Sequence, residues 1–199
     1  MKKAIPFLSF IFLFSFSPKA QNAEAAFTKS YAFEYDTQYA KAITALLEAG
    51  EDTYEINLRL GWLYYSSKDY AKSETYYKKA ISMETGSIEA RFGLALPLSA
   101  QGNWNDVLAT YLEVVKQDPN NSIANYRIAS IYYNRKDYAN ATSCLLKVIK
   151  MYPFDYDSNL LYGKILMAQN KNAEAKKFLT KAIEYNPQSD DAKALLKKL

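Results

Sequence analysis

Two pairs of adjacent carboxylates are the residues of this sequence whose types and spacing could support acid–base chemistry. They are Glu51-Asp52 and Asp190-Asp191. Two carboxyl groups can divide the general acid and general base roles when their surroundings separate their pKa values. Both pairs lie at a predicted turn or helix start, where acidic side chains stabilise the positive end of a helix. Helix capping thus explains both pairs. An enzyme remains a second class of function, in which these pairs would be the catalytic acids.

Histidine is absent from the sequence, and Cys144 is its one cysteine. Histidine is the side chain best suited to proton transfer near neutral pH and the commonest metal ligand. A single thiol can form neither an intrachain disulfide nor a Cys-x-x-Cys site. Cys144 lies in an apolar helical stretch with Leu145 and Val148, which predicts a small buried hydrophobic side chain. The sequence thus predicts no catalytic residue, no cofactor and no metal site.

The N-terminal segment has the pattern of a secretory signal peptide. Lys2 and Lys3 precede an uncharged stretch from Ala4 to Pro18. Its strongly apolar part, residues 7–16, is too short to span about 30 Å of hydrocarbon comfortably, which favours a cleaved signal over an anchor. Small residues predict cleavage after Ala25 or Ala20. We expect an exported protein, in the periplasm or cell envelope of a bacterium, with secretion as another destination.

The charge distribution argues against nucleic-acid binding. The 199-residue chain has a formal net charge of +4, but its basic residues are scattered among 21 acidic ones. Phosphate binding requires concentrated lysine and arginine side chains. Removal of residues 1–25 takes away three lysines and one glutamate, which lowers the net charge to +2. We expect neither a nucleic acid as partner nor, after signal cleavage, a membrane.

A periodicity of 34 residues organises most of the sequence. Prolines recur at this interval at Pro119, Pro153 and Pro187. Small residues recur at Gly61, Ala95, Ala129 and Gly163. Within each period, two apolar stretches at helical spacing flank a polar turn, which predicts a hairpin of two amphipathic helices. Since one hairpin cannot bury both of its faces, neighbouring hairpins must stack into a solenoid.

The period and the residue types resemble the tetratricopeptide-repeat (TPR) family. Its pattern runs Leu-Gly-x-x-Tyr in a first helix, Ala-x-x-x-Phe in a second, and then Pro. The match is closest in residues 60–64, Leu-Gly-Trp-Leu-Tyr, with Ser73, Tyr77 and Ala80 at the family spacing. The resemblance implies an all-α TPR solenoid of antiparallel helix hairpins, stacked in a right-handed superhelix and closed by a C-terminal capping helix.

The repeat frame divides the chain into consecutive segments. The signal peptide occupies residues 1–25. Residues 26–53 resemble a degenerate N-terminal repeat, or capping helices, and would cover the N-terminal edge of the stack. Four repeats follow at residues 54–87, 88–121, 122–155 and 156–189, and residues 190–199 form the capping helix.

The resemblance to this family implies a concave wall of first helices with sixteen side chains, which include Glu55, Glu89, Ser99, Ile123, Asp157 and Leu160. The ten others are the candidate partner-binding residues. They would bind a peptide or helix of a partner protein, since aromatic side chains offer large contact area at small entropic cost. These residues are Leu58, Trp62, Tyr65, Phe92, Leu96, Tyr126, Ser130, Tyr133, Lys164 and Met167. Trp62 with Tyr65 is the leading candidate pair, and packing between hairpins is the alternative role for the tyrosines.

A two-carboxylate clamp, with which some TPR proteins grip a chaperone C-terminus, does not fit these residues. The clamp requires lysine and asparagine where this chain has Leu58 and Trp62, and asparagine where it has Gly93. Only Arg127 has a suitable type. A cytosolic chaperone is therefore not the expected partner.

Pro97 departs from the repeat pattern, because it falls inside the first helix of the second repeat. Proline cannot donate to the carbonyl of residue 93, and its ring crowds that carbonyl. The sequence predicts a kink or an early stop of the helix. The bend is either a tolerated irregularity or a feature that widens the groove.

These observations favour an exported, non-enzymatic scaffold that binds a segment of another protein during assembly of an envelope complex. A membrane-tethered assembly factor that retains its N-terminal segment as an anchor is the alternative. The sequence leaves the partner, the oligomeric state and the exact cleavage site open.

Overall fold

The computed structural model describes residues 18–199, which contain eleven α-helices and no strand. The predicted all-α class is therefore confirmed over this range. The chain divides after Asp52 into two compact units. Most of the predicted signal peptide, including its basic and apolar regions, lies outside the described residues. Within residues 18–199, no helix has the length and apolar character needed to span a membrane.

The first unit contains a helical hairpin, α1 (Pro18–Tyr35) and α2 (Tyr39–Leu47). Thr37 turns the chain between them with a positive φ of 58°. Gln38 occupies the N-cap position of α2 but makes no capping bond with its side chain. Ala42 and Leu46 of α2 are fully buried. This pattern fits the degenerate repeat expected here, and its covering of the stack remains a prediction.

The second unit holds nine helices in chain order. They are α3 (Tyr54–Ser66), α4 (Tyr70–Met83), α5 (Ile88–Ala100), α6 (Trp104–Gln117), α7 (Ser122–Asn134), α8 (Tyr138–Met151), α9 (Tyr156–Ala168), α10 (Asn172–Tyr185) and α11 (Asp190–Leu196). Each helix packs against the next one along the chain. In addition, α3 contacts α5 and α7 contacts α9, so that first helices of adjacent hairpins lie side by side.

Capping residues fix where the first helices begin. At each start, a side-chain oxygen accepts a hydrogen bond from the backbone amide three residues later. The capping residues recur every 34 positions and are Thr53, Ser87, Asn121, Asp155 and Ser189. A short polar side chain at this position satisfies one of the amides that a helix start leaves unpaired.

The turn inside each hairpin contains one residue in the left-handed region. These residues also recur every 34 positions and are Lys68, Gly102, Lys136 and Asn170, with φ between 60° and 76°. Only one of them is glycine, the residue that adopts this conformation without strain. The following amide donates back into the first helix, as Asp69 N does to Tyr64 O at 2.9 Å. These bonds hold the lysines in a conformation that their side chains disfavour.

Two buried asparagines tie the hairpins together. Asn125 Nδ2 donates to Pro119 O and Asn159 Nδ2 donates to Pro153 O, both at 3.1 Å. Each amide also donates to the carbonyl of the capping residue four positions earlier. The prolines that end the second helices thus leave carbonyls that the next first helix satisfies.

Tyr77 occupies a slot that two glycines create. Its side chain is 3% exposed. A Cβ atom at Gly61 would lie 2.8 Å from Tyr77 Cγ, and one at Gly93 would overlap the far side of the ring. Gly61 in α3 and Gly93 in α5 therefore let the tyrosine of α4 pack between two first helices.

Pro97 does not stop its helix. α5 continues to Ala100 and has the same 13 residues as α3, α7 and α9. The expected early stop is therefore wrong. The position is buried, and the carbonyl of Pro97 accepts hydrogen bonds from Gln101 N at 3.0 Å and Gln101 Nε2 at 3.1 Å. Proline removes one donor near the helix end, and the remaining bonds carry the helix through its last turn.

α11 covers the last hairpin. Its partly buried Leu195 and Leu196 pack on the cluster that contains Leu160, Leu179 and Ala182. Ser189 Oγ accepts from Ala192 N at 3.1 Å and shares a 2.6 Å hydrogen bond with the hydroxyl of Tyr156. The seven-residue helix thus stands where the first helix of a further repeat would begin.

Candidate functional site

Trp62 and Tyr65, the leading candidates for partner binding, lie together on α3. Their ring centroids are 5.9 Å apart, and Tyr65 is in turn 5.8 Å from Tyr70 at the start of α4. Trp62 is 40% exposed, whereas Tyr65 is half-buried. The structure thus brings the two side chains together as one aromatic surface.

Three apolar members of the predicted wall contribute mainly to packing. Leu58 and Phe92 are half-buried against the central core cluster. The ring centroid of Phe92 lies 5.8 Å from that of the buried Tyr111. Leu96 is also half-buried. Leu58 and Phe92 thus help to join the hairpins, and all three side chains offer only part of their surface to a ligand.

The predicted residues of α7 make contacts within their own repeat, and Tyr126 and Tyr133 also pack on a cluster that includes Leu161 and Ile165 of α9. Ser130 Oγ donates to Tyr126 O at 3.0 Å. The ring of Tyr133 lies 6.0 Å from that of Tyr138 at the start of α8. Tyr126 lines a surface cleft, which makes it the member of this group most directly available to a ligand.

Lys164 and Met167 lie beside the capping helix. Lys164 Nζ donates to Asp191 Oδ2 of α11 at 2.6 Å. Met167 packs with the cluster beneath α11. Lys164 is therefore already engaged by a carboxylate of its own chain, and a ligand would have to compete with Asp191 for it.

A cleft of about 370 Å³ lies between α7 and α9. Ile123, Tyr126, Val148 and Tyr152 supply its apolar surface. Its polar lining consists of Ser122, Arg127, Asp155, Asp157 and Ser158. The cleft therefore combines an apolar surface with a carboxylate side on α9 and a guanidinium side on α7.

The polar groups of the cleft differ in their hydrogen-bond partners. Asp155 Oδ1 accepts from Ser158 N at 2.8 Å as the cap of α9. Ser158 is fully buried, and its Oγ has no hydrogen-bond partner among the described residues. Burial raises the pKa of Tyr126 above its usual range, and the negative charges of Asp157 and Asp155 raise this pKa further. Arg127 acts in the opposite direction.

Ile123 is an exception among the first helices. The corresponding positions, at 34-residue intervals, carry Glu55, Glu89, Asp157 and Asp191. An acidic residue here suits the positive end of a helix. Ile123 is instead apolar and 58% exposed. The third repeat has therefore replaced a favourable charge by an exposed apolar side chain at the mouth of the cleft.

Tyr152 and Phe154 extend this apolar surface onto the loop between α8 and α9. The positions of Tyr152 in the other repeats carry Glu84, Asp118 and Asn186, and those of Phe154 carry Gly86, Asn120 and Gln188. Tyr152 is 55% exposed and Phe154 is 74% exposed. Phe154 contacts Tyr185 edge to face, with ring centroids 5.1 Å apart. Exposed apolar side chains grouped on one loop and its neighbouring cleft are typical of interaction surfaces.

Among the candidates for chemistry, Asp190, Asp191 and Cys144 have structural roles, whereas one carboxylate oxygen of Glu51 is buried without a hydrogen-bond partner among residues 18–199. Asp190 and Asp191 lie in the first turn of α11, where they suit the helix dipole. Cys144 is half-buried against two core clusters, and burial raises the pKa of its thiol. Within residues 18–199, no group of three or more metal-ligating side chains comes together.

Tyr152 and Phe154 were absent from the predicted site because they lie outside the first helices. The sequence did contain a signal for them. Alignment of the repeats at the 34-residue interval shows aromatic side chains where the other repeats carry polar residues or glycine. Tyr152 and Ile123 meet at one cleft only once the hairpins have folded.

Models of the tetratricopeptide repeat match residues 54–85, 92–156 and 132–199. Among curated proteins, a tetratricopeptide repeat protein 21 homolog of Caenorhabditis elegans is 24% identical over 147 residues, 74% of this chain and 11% of that protein. DnaJ homolog subfamily C member 3 of Homo sapiens is 29% identical over 117 residues, 59% of this chain. The chain spans 11% and 23% of the lengths of these relatives.

Solved structures share the fold. A crystal structure of MamA superposes with a TM-score of 0.73 at 18% identity, covering 85% of this chain and 94% of MamA. YrrB, described as a TPR protein with an unusual peptide-binding site, superposes with a TM-score of 0.72 at 17% identity, covering 92% of this chain and 99% of YrrB. The expected solenoid of helix hairpins is confirmed by these superpositions.

Proposed function

The chain is a tetratricopeptide-repeat protein, and we propose that it is an exported, non-enzymatic scaffold that holds a peptide or helix of another protein. Repeats of this kind build a continuous surface from first helices, on which a partner segment can lie. The partner belongs to a complex of the cell envelope. The observation that carries the proposal is the apolar surface that the exposed Ile123 and Tyr152 form at the cleft. The exposed Phe154 lies on the same α8–α9 loop as Tyr152.

The aromatic group on α3 supplies a second contact area in the same unit. Trp62 and Tyr65 together with Tyr70 form a chain of neighbouring rings. A few anchors of about 1.5–3 kcal/mol each, less the cost of ordering the bound segment, correspond to roughly micromolar affinity. The peptide-binding site described for YrrB is a property of that protein and supports only the class of ligand proposed here.

The N-terminal residues support export. The basic start and the apolar stretch that follows have the composition of a signal peptide. Cleavage after Ala20 would retain Asn22, whose Nδ2 donates to Ala49 O of the first hairpin at 3.0 Å. Cleavage after Ala25 would remove it. Mass determination of the chain from the native envelope tests this step, and an intact N-terminus would instead support the membrane-tethered alternative.

Affinity capture from the native envelope tests the scaffold itself. The purified chain is compared with a Trp62→Ala, Tyr65→Ala variant whose helix content is verified by circular dichroism. The control is a Tyr31→Ala, Tyr35→Ala variant, which removes two exposed aromatic side chains from the first unit. We expect one set of proteins to be retained by the wild type and the control and lost with the α3 variant. Equal capture by all three chains would refute binding at α3.

A further inference from the structure

The cleft between α7 and α9 has a composition that selects among peptide segments. Val148 is buried, Tyr126 is half-buried, and Ile123 is exposed at its mouth. A volume of about 370 Å³ accommodates a large aliphatic side chain with part of its neighbour. An apolar side chain entering there removes this surface from water, which is the main favourable contribution to binding.

More negative than positive side chains line the cleft. Asp155 and Asp157 lie on the α9 side, and Arg127 lies on the α7 side. Both carboxylates raise the pKa of Tyr126, and the single guanidinium lowers it. The cleft thus has two negative side chains and one positive one. One oxygen of Asp155 is used in capping, whereas Asp157 is exposed. The carboxylate side of the cleft therefore favours a cation on an incoming ligand.

We propose that this cleft is the specificity pocket of the scaffold, and that it takes a leucine-sized side chain adjacent to a lysine or arginine in the partner. The inference rests on the proposed function and names the segment that the scaffold holds. The apolar side chain lies against Tyr126 and Val148, and the cation lies beside Asp157. The four other first-helix starts, which carry acids in place of Ile123, do not select an apolar side chain.

Nuclear magnetic resonance titration of the isotopically labelled chain tests the pocket with defined probes. The probes are acetyl-Gly-Leu-Arg-Gly-amide, the same peptide with Gln or Glu in place of Arg, and one with Ser in place of Leu. Probe concentrations reach about 10 mM, since single anchors bind in the millimolar range. We expect shifts of amides in residues 122–127 and 155–158, with Leu-Arg binding about threefold better than Leu-Gln at low salt.

Two variants and one matched control locate the effect. Ile123→Glu introduces the residue that stands at positions 55 and 89, so the fold tolerates it, and it should abolish binding of all leucine probes. Asp157→Asn should remove the preference for Arg over Gln. Glu89→Gln removes the corresponding acid of the second repeat and should change neither result.

Several outcomes would overturn the proposal. Preference for the Leu-Glu probe would assign the pocket to an acidic segment that pairs with Arg127. Chemical shift changes in other residues, or no changes at the highest probe concentration, would show that the probes do not bind in this pocket. Sedimentation that shows a dimer of the chain lost in Ile123→Glu would assign the surface to a second copy. Capture of a partner by the wild-type chain, together with any of these results, would leave the scaffold function standing without this pocket.

Discussion

Tyr77 shows how single residues set the spacing between hairpins. Its ring fills the space left by Gly61 and Gly93, so that three helices approach one another closely. A methyl group at either glycine has no room unless the ring or the backbone moves. Gly61, like Gly163 beside Leu179, belongs to the small residues that recur every 34 positions, and this periodicity made its packing role predictable. Gly93 lies outside that series, and its role emerges only from the fold.

Gly93→Ala should destabilise the protein by about 1–3 kcal/mol, because the added methyl group overlaps the buried ring of Tyr77. Urea denaturation followed by circular dichroism measures the change. The control is Gly86→Ala, since a Cβ at that position meets nothing within 4 Å. It should remain within about 0.5 kcal/mol of the wild type. Equal effects of the two substitutions would show that the slot does not constrain the packing.

Buried tyrosines should make the fold sensitive to alkaline pH. Burial, with smaller contributions from the charges of Glu89 and Tyr65, raises the pKa of Tyr77 well above its ordinary value of 10.0, and Arg59 opposes this. Above pH 10 the phenol ionises in the unfolded chain but stays protonated in the folded one, so the unfolded state binds fewer protons and stability falls as pH rises.

Urea denaturation of the wild type and Tyr77→Phe at pH 8 to 11 measures this effect. The variant lacks the ionisable group at residue 77, so its stability should fall less steeply above pH 10 than that of the wild type. Tyr35→Phe is the control, because Tyr35 is 90% exposed. Parallel pH profiles for the wild type and Tyr77→Phe would contradict the argument.

The surroundings of the residues predicted to bind a partner could be anticipated only in part. Trp62 and Tyr65 could be placed on one helix face from spacing and the resemblance. The engagement of Lys164 by Asp191 could not, because it depends on where α11 lies. Leu58 and Phe92 fell on the expected face but are packed against the core, since the spacing of adjacent hairpins decides how much of each side chain remains exposed.

At the level of helices, capping residues and tyrosine hydroxyls join successive repeats. Tyr54 shares a hydrogen bond with Ser87 at 2.7 Å, and Tyr156 shares one with Ser189 at 2.6 Å. In both cases the serine also caps the following first helix. One serine hydroxyl thus starts a helix and ties it to the first helix of the preceding repeat.

Ser189→Ala should destabilise the protein by about 1–2 kcal/mol, because it removes both the cap of α11 and the partner of Tyr156. Tyr156→Phe removes only the shared hydrogen bond and should cost less, about 1 kcal/mol. The free energy of unfolding of the two variants and their combination separates the contributions. A double variant that costs the sum of both single changes would show that the two groups do not interact.

The backbone conformation of the turns within hairpins could be predicted from the sequence only in part. Gly102 signals a left-handed turn by its type, whereas Lys68 and Lys136 adopt the same conformation without such a signal. Their backbone bonds into the preceding helix hold them there. The early stop expected at Pro97 was likewise wrong, since α5 continues to Ala100, whereas the kink that was the other expectation stays a prediction.

For the molecule as a whole, the 34-residue repeat period was the feature of the sequence that best predicted the fold. A 34-residue unit that cannot bury its own apolar faces requires neighbours, and this requirement alone led to a solenoid of helix hairpins. The proposed binding surface lies where the repeats differ from one another. Equivalent positions provide internal controls, and the third repeat departs from the others at Ile123, Tyr152 and Phe154.

The central claim is that the first-helix surface and the cleft hold another polypeptide. Site-specific photo-crosslinking in the native envelope tests it most directly, with p-benzoylphenylalanine in place of Trp62, Tyr152 or, as a control, the exposed Lys147 of α8. We predict that the positions of Trp62 and Tyr152 capture the same protein and that the position of Lys147 does not. Capture from Lys147 alone, or equally from all three positions, would contradict the claim.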